Sequence, residues 1–386
     1  MLDERLKICH ISEATSGGVM THLVQLAKHL APEKFKQTFV LSTLKNQSLL
    51  NEETFHGHEL HLINIKRNIS PISDLISLVK MVRFLFFNRF DVIHCHSSKA
   101  GVIGRLAAWL TGHKNLIYTP HSFSVNKYNN KIKNFLFSKI ERCLSFITKK
   151  VICVSEGEYY LACKQYNLAP KNKLIVIPNG IEVENLSLEI SKEEFLIKNG
   201  FEGNEKILCF VGRLCDQKNP EYMIRAFSQI ENEKVVLLIA GEGPLRKKME
   251  LLVSKLKIEQ KVFFLGEVKN TTEILSISDI FVNTSLWEGL PYVILEAMSV
   301  GVPVIATNIV GNTDLVHDHE TGYLVNVNDI NQLTQTINNV LAMEDDTVVE
   351  NARTLIQNKH LLSTMVESLE LFYEEVCDNE ISQENF

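Results

Sequence analysis

The chain holds eight cysteines in 386 residues but no C-x-x-C pair. Cys9 (LKICHI), Cys153 (VICVS) and Cys209 (ILCFVG) stand in strand-like apolar runs. Scattered, apolar placement argues against a disulfide framework and for buried, reduced thiols in a cytosolic protein. Long hydrophobic runs are also missing. ISLVKMVRFLFF is broken by Lys80 and Arg83 and is too short to cross a bilayer. The N-terminus, MLDERLKICHI, opens with acids and has no apolar core segment, so it does not read as a signal peptide. Several catalytic signatures are absent too. There is no G-x-x-x-x-G-K-[ST] phosphate loop, no G-x-S-x-G elbow and no H-E-x-x-H pair. No D-x-D pair follows a strand-like run, so no site of that kind for a divalent ion on a diphosphate is indicated.

What is present is the composition of a soluble globular protein, 45% hydrophobic and 22% charged. The length suits two domains of ordinary size. The net charge of −6 hides an asymmetry. Residues 1–180 carry 24 basic and 12 acidic side chains, a net +12, whereas residues 181–386 carry 16 and 34, a net −18. A basic half on an acidic chain points to an anionic surface as partner. The basic residues also cluster: Lys127, Lys131, Lys133, Lys139, Arg142, Lys149 and Lys150 are interleaved with Phe, Leu and Ile. That segment reads either as a basic amphipathic helix on anionic lipid or as a helix packed on the sheet. No nucleic-acid partner is expected.

The two halves open alike. LKICHI, SEATSGG and VMTHLVQLAKHL give a strand, a glycine loop and a helix; KILCFVG, RLCDQKN and PEYMIRAFSQI repeat the order. Further short apolar strands follow in each half: QTFVLST, DVIHCH, NLIYTP, KVICVS and LIVIPNG, then VVLLIAG, KVFFLG, IFVNTS, PVIAT and GYLV. Strands alternating with helices predict parallel sheets covered on both faces. The fold class expected is α/β, with two doubly wound Rossmann-like domains facing across a cleft. The break falls near Pro178–Gly180, giving domains 1–180 and 181–360. LLSTMVESLELFYEEV forms a last helix that either ends the second domain or crosses back to the first.

In such sheets ligands sit beyond the carboxyl ends of the strands, where glycine loops lead into helices. GEGPLR (241–246) supplies two glycines of a dinucleotide fingerprint but puts Arg246 at the third, which argues against one. His94 and His96 share one face of a strand, yet two ligands do not make a zinc site; two polar residues ending a buried strand is the plainer reading. Gly212-Arg213-Leu214 and Lys218 follow a strand directly and offer a guanidinium fork and an ammonium to phosphate oxygens. Gly17-Gly18 occupies the matching place in the first half, where backbone N–H groups approach an anion closely. In SLWEGLPYVILEAM, Pro291 fits the first turn of a helix, so Glu288 lies in the loop entering it and Glu296 more than one turn inside. A carboxylate there suits sugar or ribose hydroxyls.

Taken together these stretches resemble the retaining glycosyltransferases of family 4. The resemblance rests on Glu288 and Glu296 with seven residues between them, followed by GVPVIAT and ETGYLV. ATSGGV, HSSKAGVIGRLAA, TPHSFS, VICVSE, IPNGI, VGRL with Lys218, GEGP and FLGEV extend it along nearly the whole chain. HSSKAG with TPHSF is similar to the branch that builds bacterial capsule, exopolysaccharide or O-antigen units. The resemblance implies the GT-B fold, with the last helix (361–377) crossing back to the N-terminal, acceptor-binding domain and a C-terminal domain that binds donor. It implies that Gly17 and Gly18 contact the donor diphosphate and that Arg213 and Lys218 neutralise it. Backbone around Gly266, Glu267 and Val268 would read the base. Glu296 would hold the ribose, and Glu288 with the amides of Gly289 and Leu290 the transferred sugar. His121 would sit beside the reacting centre. Val19-Met20 departs from the family pattern, which carries a small residue or an acid after the glycine pair.

The activity expected is transfer of a hexosyl or N-acetylhexosaminyl group, with retention, from a UDP-linked donor to a lipid-linked sugar. No metal or other cofactor is expected, because Arg213, Lys218 and a helix N-terminus meet the charge that develops on the diphosphate. The protein would be cytoplasmic and peripheral on the inner face of the membrane. Two rivals remain beside this: a sugar-nucleotide epimerase of the same fold, and a non-catalytic nucleotide-sugar-binding subunit.

Overall fold

The structure is a computed structural model that describes residues 4–42, 55, 57–66, 68–183, 191–198, 200, 202–343 and 346–381. The chain forms two compact units, Met1–Asn179 with Leu362–Phe386, and Gly180–Leu361.

The first unit is a seven-stranded parallel sheet in the order β3-β2-β1-β4-β5-β6-β7. Its strands are β1 (Leu6–Ser12), β2 (Phe35–Leu41), β3 (Glu59–Leu62), β4 (Val92–His96), β5 (Leu116–Thr119), β6 (Lys150–Cys153) and β7 (Leu174–Val176). All but β3 follow apolar runs visible in the sequence. ELHL of β3 is exposed throughout and, among the described residues, pairs only along β2, which is why no apolar run announces it. The connecting helices are α1 (Gly18–His29), α2 (Pro71–Phe87), α3 (Ser98–Leu110), α4 (Lys131–Ile147) and the short α5 (Glu156–Tyr160).

Helix α3 shows how sequence sets packing. A Cβ on Gly101 would lie 2.4 Å from the Tyr118 ring, and one on Gly104 would lie 2.6 Å from Cys95 Sγ. Glycine there, with Ala107 and Ala108, lets the helix lie close on β4 and β5. Arg105 on the same helix is fully buried. It pairs with Glu141 of α4 at 2.7 Å, donates from Nε to Gly101 O at 2.7 Å, and stacks over Tyr118 at 3.8 Å. Removing either partner would strand a buried charge, which typically costs about 3–5 kcal/mol.

The second unit is a six-stranded parallel sheet in the order β10-β9-β8-β11-β12-β13. After α6 (Lys192–Lys198) come β8 (Lys206–Val211), α7 (Pro220–Phe227), β9 (Val235–Ala240), α8 (Arg246–Leu256), β10 (Val262–Gly266), α9 (Thr271–Ser276) and β11 (Ile280–Asn283). α10 (Tyr292–Val300), β12 (Val304–Thr307), β13 (Tyr323–Val325), α11 (Ile330–Ala342) and α12 (Thr347–Lys359) complete it. β8, β9, β11 and β12 are buried on both faces apart from Lys206, as expected for a parallel sheet under two helix layers.

The last helix, α13 (Leu362–Ile381), belongs to the first unit. Leu362, Met365, Val366, Leu369, Tyr373 and Val376 recur at helical spacing and pack on Ile8, Leu26, Phe35, Val92 and Ile117. Polar contacts reinforce the seat: Glu370 accepts from Ala31 N at 2.7 Å, and Lys149 Nζ donates to Val376 O at 2.6 Å.

Both strand orders reverse direction once, between β1 and β4 in the first unit and between β8 and β11 in the second. Loops leaving neighbouring strands diverge at such a point and open a crevice at the carboxyl ends. The candidate residues gather at these two places.

Candidate active site

In the second unit, the loop after β8 carries Gly212, Arg213 and Lys218, and the loop after β11 carries Ser285, Glu288, Gly289 and Leu290. β8 and β11 are paired through Leu208 with Ile280 and Cys209 with Phe281, so the two loops leave side by side. They are bonded together: Leu286 N donates to Gln217 O at 2.7 Å, Gln217 Nε2 to Trp287 O at 3.0 Å, and Thr284 Oγ1 to Lys218 O at 2.9 Å. Lys218 Nζ and Glu288 Oε1 meet at 2.5 Å, and Ser285 Oγ donates to the same oxygen at 2.7 Å. Arg213, five residues before Lys218 on the same loop, is exposed.

Glycines set the floor of this site. A Cβ on Gly243 would fall 2.3 Å from Leu214 O, and one on Gly241 would fall 2.1 Å from Gly212 O. The GEGP loop therefore presses directly on the Gly-Arg-Leu loop, and Leu214 N donates to Glu242 O at 3.0 Å. This is packing of two loops, consistent with the weakness of GEGPLR as a dinucleotide fingerprint.

Pro291 is the residue capping α10, one position earlier than the first-turn place expected, and its ψ of 118° keeps it outside the helix. Glu288 thus stands in the entering loop and Glu296 in the second turn. Glu296 Oε2 accepts from Thr271 Oγ1 at 2.7 Å, on the first residue of α9. Burial raises the Glu296 pKa, while the Thr271 bond and Lys218 oppose that shift. Gly266 ends β10 with φ of 72°, a value that favours glycine, and its carbonyl accepts from Gly241 N at 2.6 Å. Glu267 beyond it is exposed and Val268 half-buried.

In the first unit, Gly17 caps α1 with φ of 66°, and Gly18 opens the helix; both are exposed. His121 lies just beyond β5 in a turn where His121 and Ser122 both take positive φ, 54° and 119°. Buried Glu158 pins that turn, accepting from Ser122 N and Val154 N at 2.8 Å each. Glu13 plays a similar part at α3, accepting from Lys99 N at 3.0 Å and Ala100 N at 2.8 Å. Underneath, His10, His22, His94, His96 and His121 crowd together. His10, His94 and His96 place ring nitrogens within 4.8 Å of one another, as do His22, His96 and His121. Burial lowers all five pKa values, that of His10 to about 3 and that of His22 to about 4. His94 and His96 do end a buried strand, as the plainer sequence reading had it, but in the company of three further histidines.

A separate recess of about 370 Å³ lies at the start of α2, lined by Lys66, Ser70, Ile72, Ser73, Ile76 and Lys80 among others. On α2 and α4, which both pack on α3, Ile72, Phe87, Ile132 and Phe135 are each more than 60% exposed. Among the described residues no helix is long and apolar enough to cross a membrane.

The sequence pattern of "Glycosyltransferase Family 4" matches residues 16–185, and that of "Glycosyl transferases group 1" matches residues 191–360. Over 323 residues the chain is 33% identical to the UDP-Gal:alpha-D-GlcNAc-diphosphoundecaprenol alpha-1,3-galactosyltransferase of Escherichia coli, covering 81% of this chain and 82% of that protein. The chain belongs to glycosyltransferase family 4. It is also 28% identical over 334 residues to the capsular polysaccharide biosynthesis glycosyltransferase CapM of Staphylococcus aureus, covering 81% and 84% of the two chains. Among solved structures, Anabaena HepE in complex with UDP and glucose superposes with a TM-score of 0.81 at 20% identity, over 96% of this chain and 100% of that one. The two Rossmann-like parallel sheets are those of the GT-B glycosyltransferases.

Within this family 4 glycosyltransferase, the structure brings Arg213, Lys218 and Glu288 to one strand-end crevice, with Gly289, Leu290 and Glu296 on the loop and helix that follow. Gly17, Gly18 and His121 occupy the strand-end region of the other unit. Sequence reading missed Glu13, Glu158, His10 and His22. His10 faces His94 only because β1 and β4 pair in that register, which the sequence does not print. Glu158 was within reach, since SEGE after a strand is a helix-start pattern in which Ser155 caps the Glu158 amide at 3.0 Å.

Proposed function

We propose that this glycosyltransferase moves a hexosyl or N-acetylhexosaminyl group from a UDP-linked donor to a lipid-linked sugar, with retention, in cell-surface polysaccharide synthesis. The observation that carries the reading is the Lys218–Glu288 pair beside Arg213 at the β8/β11 crevice. A cation there suits the charge that develops on a diphosphate, and a carboxylate suits sugar hydroxyls, which supports the reading. The named activity of the Escherichia coli relative, UDP-galactose to a diphosphoundecaprenol-linked sugar, supports both donor and acceptor class. The Campylobacter jejuni relative at 28% identity also bears the name of an enzyme acting on a diphospho-undecaprenol glycan.

In the reaction, the bond from the anomeric carbon to the diphosphate oxygen breaks and a bond to the acceptor oxygen forms on the same face. The acceptor's hydroxyl proton passes to the departing phosphate oxygen. Arg213 and Lys218 stabilise the leaving group, and the amides of Gly17 and Gly18 offer donors to phosphate oxygen. Glu288 and the amides of Gly289 and Leu290 hold the transferred sugar, and Glu296 holds the ribose. Backbone around Gly266, Glu267 and Val268 contacts the base, and His121 stands by the sugar. These cations replace a divalent ion, so chelators leave turnover intact. Glu288 serves as a hydroxyl acceptor; a trapped glycosyl adduct on it would contradict this.

The basic, partly apolar surface of α2 and α4 docks the enzyme on an anionic membrane, where a lipid-linked acceptor resides. Exposed Ile, Phe and Lys together suit an interfacial helix, and Lys66 and Lys80 in the recess suit lipid phosphate. A screen of UDP- and GDP-sugars for hydrolysis and thermal stabilisation tests the donor assignment. UDP-sugars should stabilise and turn over. Stabilisation without hydrolysis or transfer would favour a binding subunit, and interconversion of sugar epimers an epimerase.

A further inference from the structure

The histidines under the first unit's strand ends are ordered, and the order has a direction. His94 is committed at both ring nitrogens, Nδ1 to the Tyr373 hydroxyl and Nε2 to Thr119 Oγ1, each at 2.7 Å. His96 is committed likewise, Nε2 to His10 Nδ1 at 3.2 Å and Nδ1 to His121 Nε2 at 3.1 Å. His10, His96 and His121 therefore form one chain of imidazoles, each joined Nδ1 to Nε2.

A neutral imidazole has one N–H and one bare nitrogen. A chain of neutral rings joined in this way has two self-consistent states. Either every N–H points toward His121, or every N–H points away from it. The far end decides. Gln37 on β2 donates from Nε2 to Leu26 O at 3.1 Å, which fixes which end of its amide is oxygen. Gln37 Oε1 and His10 Nε2 are both buried, and neither reaches another protein atom at hydrogen-bond geometry. β1 and β2 pair Ile8 with Gln37 and His10 with Phe39, which puts Gln37 diagonally across from His10 on the same face of the sheet. A small turn of the Gln37 amide lets each orphan serve the other, provided that His10 carries its proton on Nε2. His10 Nδ1 is then bare and accepts from His96 Nε2–H. His96 Nδ1 in turn accepts from His121 Nε2–H. His121 Nδ1 is left bare, on a partly exposed residue, with no protein partner among the described residues.

We propose that Gln37, acting through His10 and His96, sets the tautomer of His121 so that the ring offers substrate an acceptor nitrogen and no N–H. Its ligand is a donating hydroxyl, on the transferred sugar or on the acceptor. Gln37, His10 and His96 are positioning residues. The functional half of this inference rests on the place given to His121 under the proposed function; the direction of the chain does not.

Two-bond ¹H–¹⁵N correlation spectra of the full chain labelled at histidine read the tautomers directly, with His121→Asn identifying the His121 signals. The expected result is Nε2 protonation at His10, His96 and His121. Gln37→Leu removes the terminal acceptor. It should mix the His121 tautomers and lower kcat roughly fivefold to tenfold, the worth of about one hydrogen bond, with KM for donor unchanged. A changed His121 tautomer beside unaltered backbone amide spectra and melting temperature is what a merely structural loss would not produce. A fall in donor hydrolysis and transfer together places the hydroxyl on the transferred sugar; a fall in transfer alone places it on the acceptor. Nδ1 protonation of His121 in the wild type would overturn the proposal. So would a folded Gln37→Leu protein with His121 tautomer and kcat unchanged. Full turnover by His121→Asn would instead sink the role of His121 and the functional half with it, while the spectra still decide the chain.

Discussion

Lys218 Nζ and Glu288 Oε1 are 2.5 Å apart, in a pair whose side chains are 19% and 9% exposed. Two residues proposed to serve different parts of the donor thus pair with each other. Under the proposed roles, a diphosphate that draws Lys218 away would free Glu288 to accept sugar hydroxyls, which would couple donor binding to sugar positioning.

Lys218→Met should lower kcat about 10²- to 10³-fold, the usual worth of one contact to developing charge. It should also cost roughly 1–3 kcal/mol of stability, because the Glu288 side chain loses its ion-pair partner in a site mostly closed to water. Adding Glu288→Gln should recover part of the stability and none of the activity. A double-mutant cycle by urea unfolding, beside steady-state kinetics, checks both statements.

Glu296 is held at a raised pKa by burial. A carboxyl whose folded pKa lies above its unfolded one contributes stability while protonated and loses it as pH rises through the folded value. Glu296→Gln should therefore raise the melting temperature of the ligand-free protein at neutral pH, with the gain vanishing in acid. The same change should weaken UDP binding roughly 10- to 100-fold through lost charge-assisted bonds to the ribose. Calorimetry of melting and of UDP titration would show the two effects with opposite signs.

The five clustered histidines predict acid sensitivity with the reverse sign. Their folded pKa values are lowered by burial, so the unfolded chain binds protons that the folded one refuses. Stability is full above the ordinary histidine range and falls as pH drops below about 6.5, by up to about 1.4 kcal/mol per pH unit for each histidine. Denaturant melts between pH 8 and pH 5 should show this slope. His22→Gln, outside the imidazole chain, should make it shallower.

Membrane docking through α2 and α4 should appear as salt-sensitive binding to anionic vesicles and weak binding to neutral ones. Charge reversal at Lys131, Lys133 and Lys139 should reduce vesicle binding more than tenfold, at about 1 kcal/mol per lost cation near the surface. Hydrolysis of a water-soluble donor should be untouched. Sedimentation with vesicles reads the first effect and nucleotide release the second.

Much of the fold is visible in the sequence because parallel strands buried on both faces must be continuous apolar runs. KILCFV, VVLLIA and DVIHCH carry their own assignment. ELHL of β3 does not, since an exposed edge strand has no such requirement. The same contrast holds in the candidate site. Arg213, Lys218 and Glu288 were legible because each sits within a few residues of a strand's carboxyl end, where local sequence and position coincide. His10, His22 and Gln37 were not, because their meeting depends on the pairing of β1 with β2 and β4 and on the seat of α1. The last helix was ambiguous for a related reason: its apolar spacing gives a buried face but not the surface that buries it. The structure supplies that surface in β1, β4 and β5, and in Tyr373 bonded to His94.

The most direct measurement is transfer of radiolabelled sugar from UDP-galactose, UDP-glucose and their N-acetyl forms to a diphosphoundecaprenol-linked monosaccharide, with chelator present. The anomeric configuration of the product would be read by NMR. The account predicts transfer from at least one UDP-sugar, an α-linked product from an α-linked donor, undiminished rate with chelator, and loss of transfer in Lys218→Met. Inverted product, or transfer that requires a divalent ion and survives Lys218→Met, would contradict it.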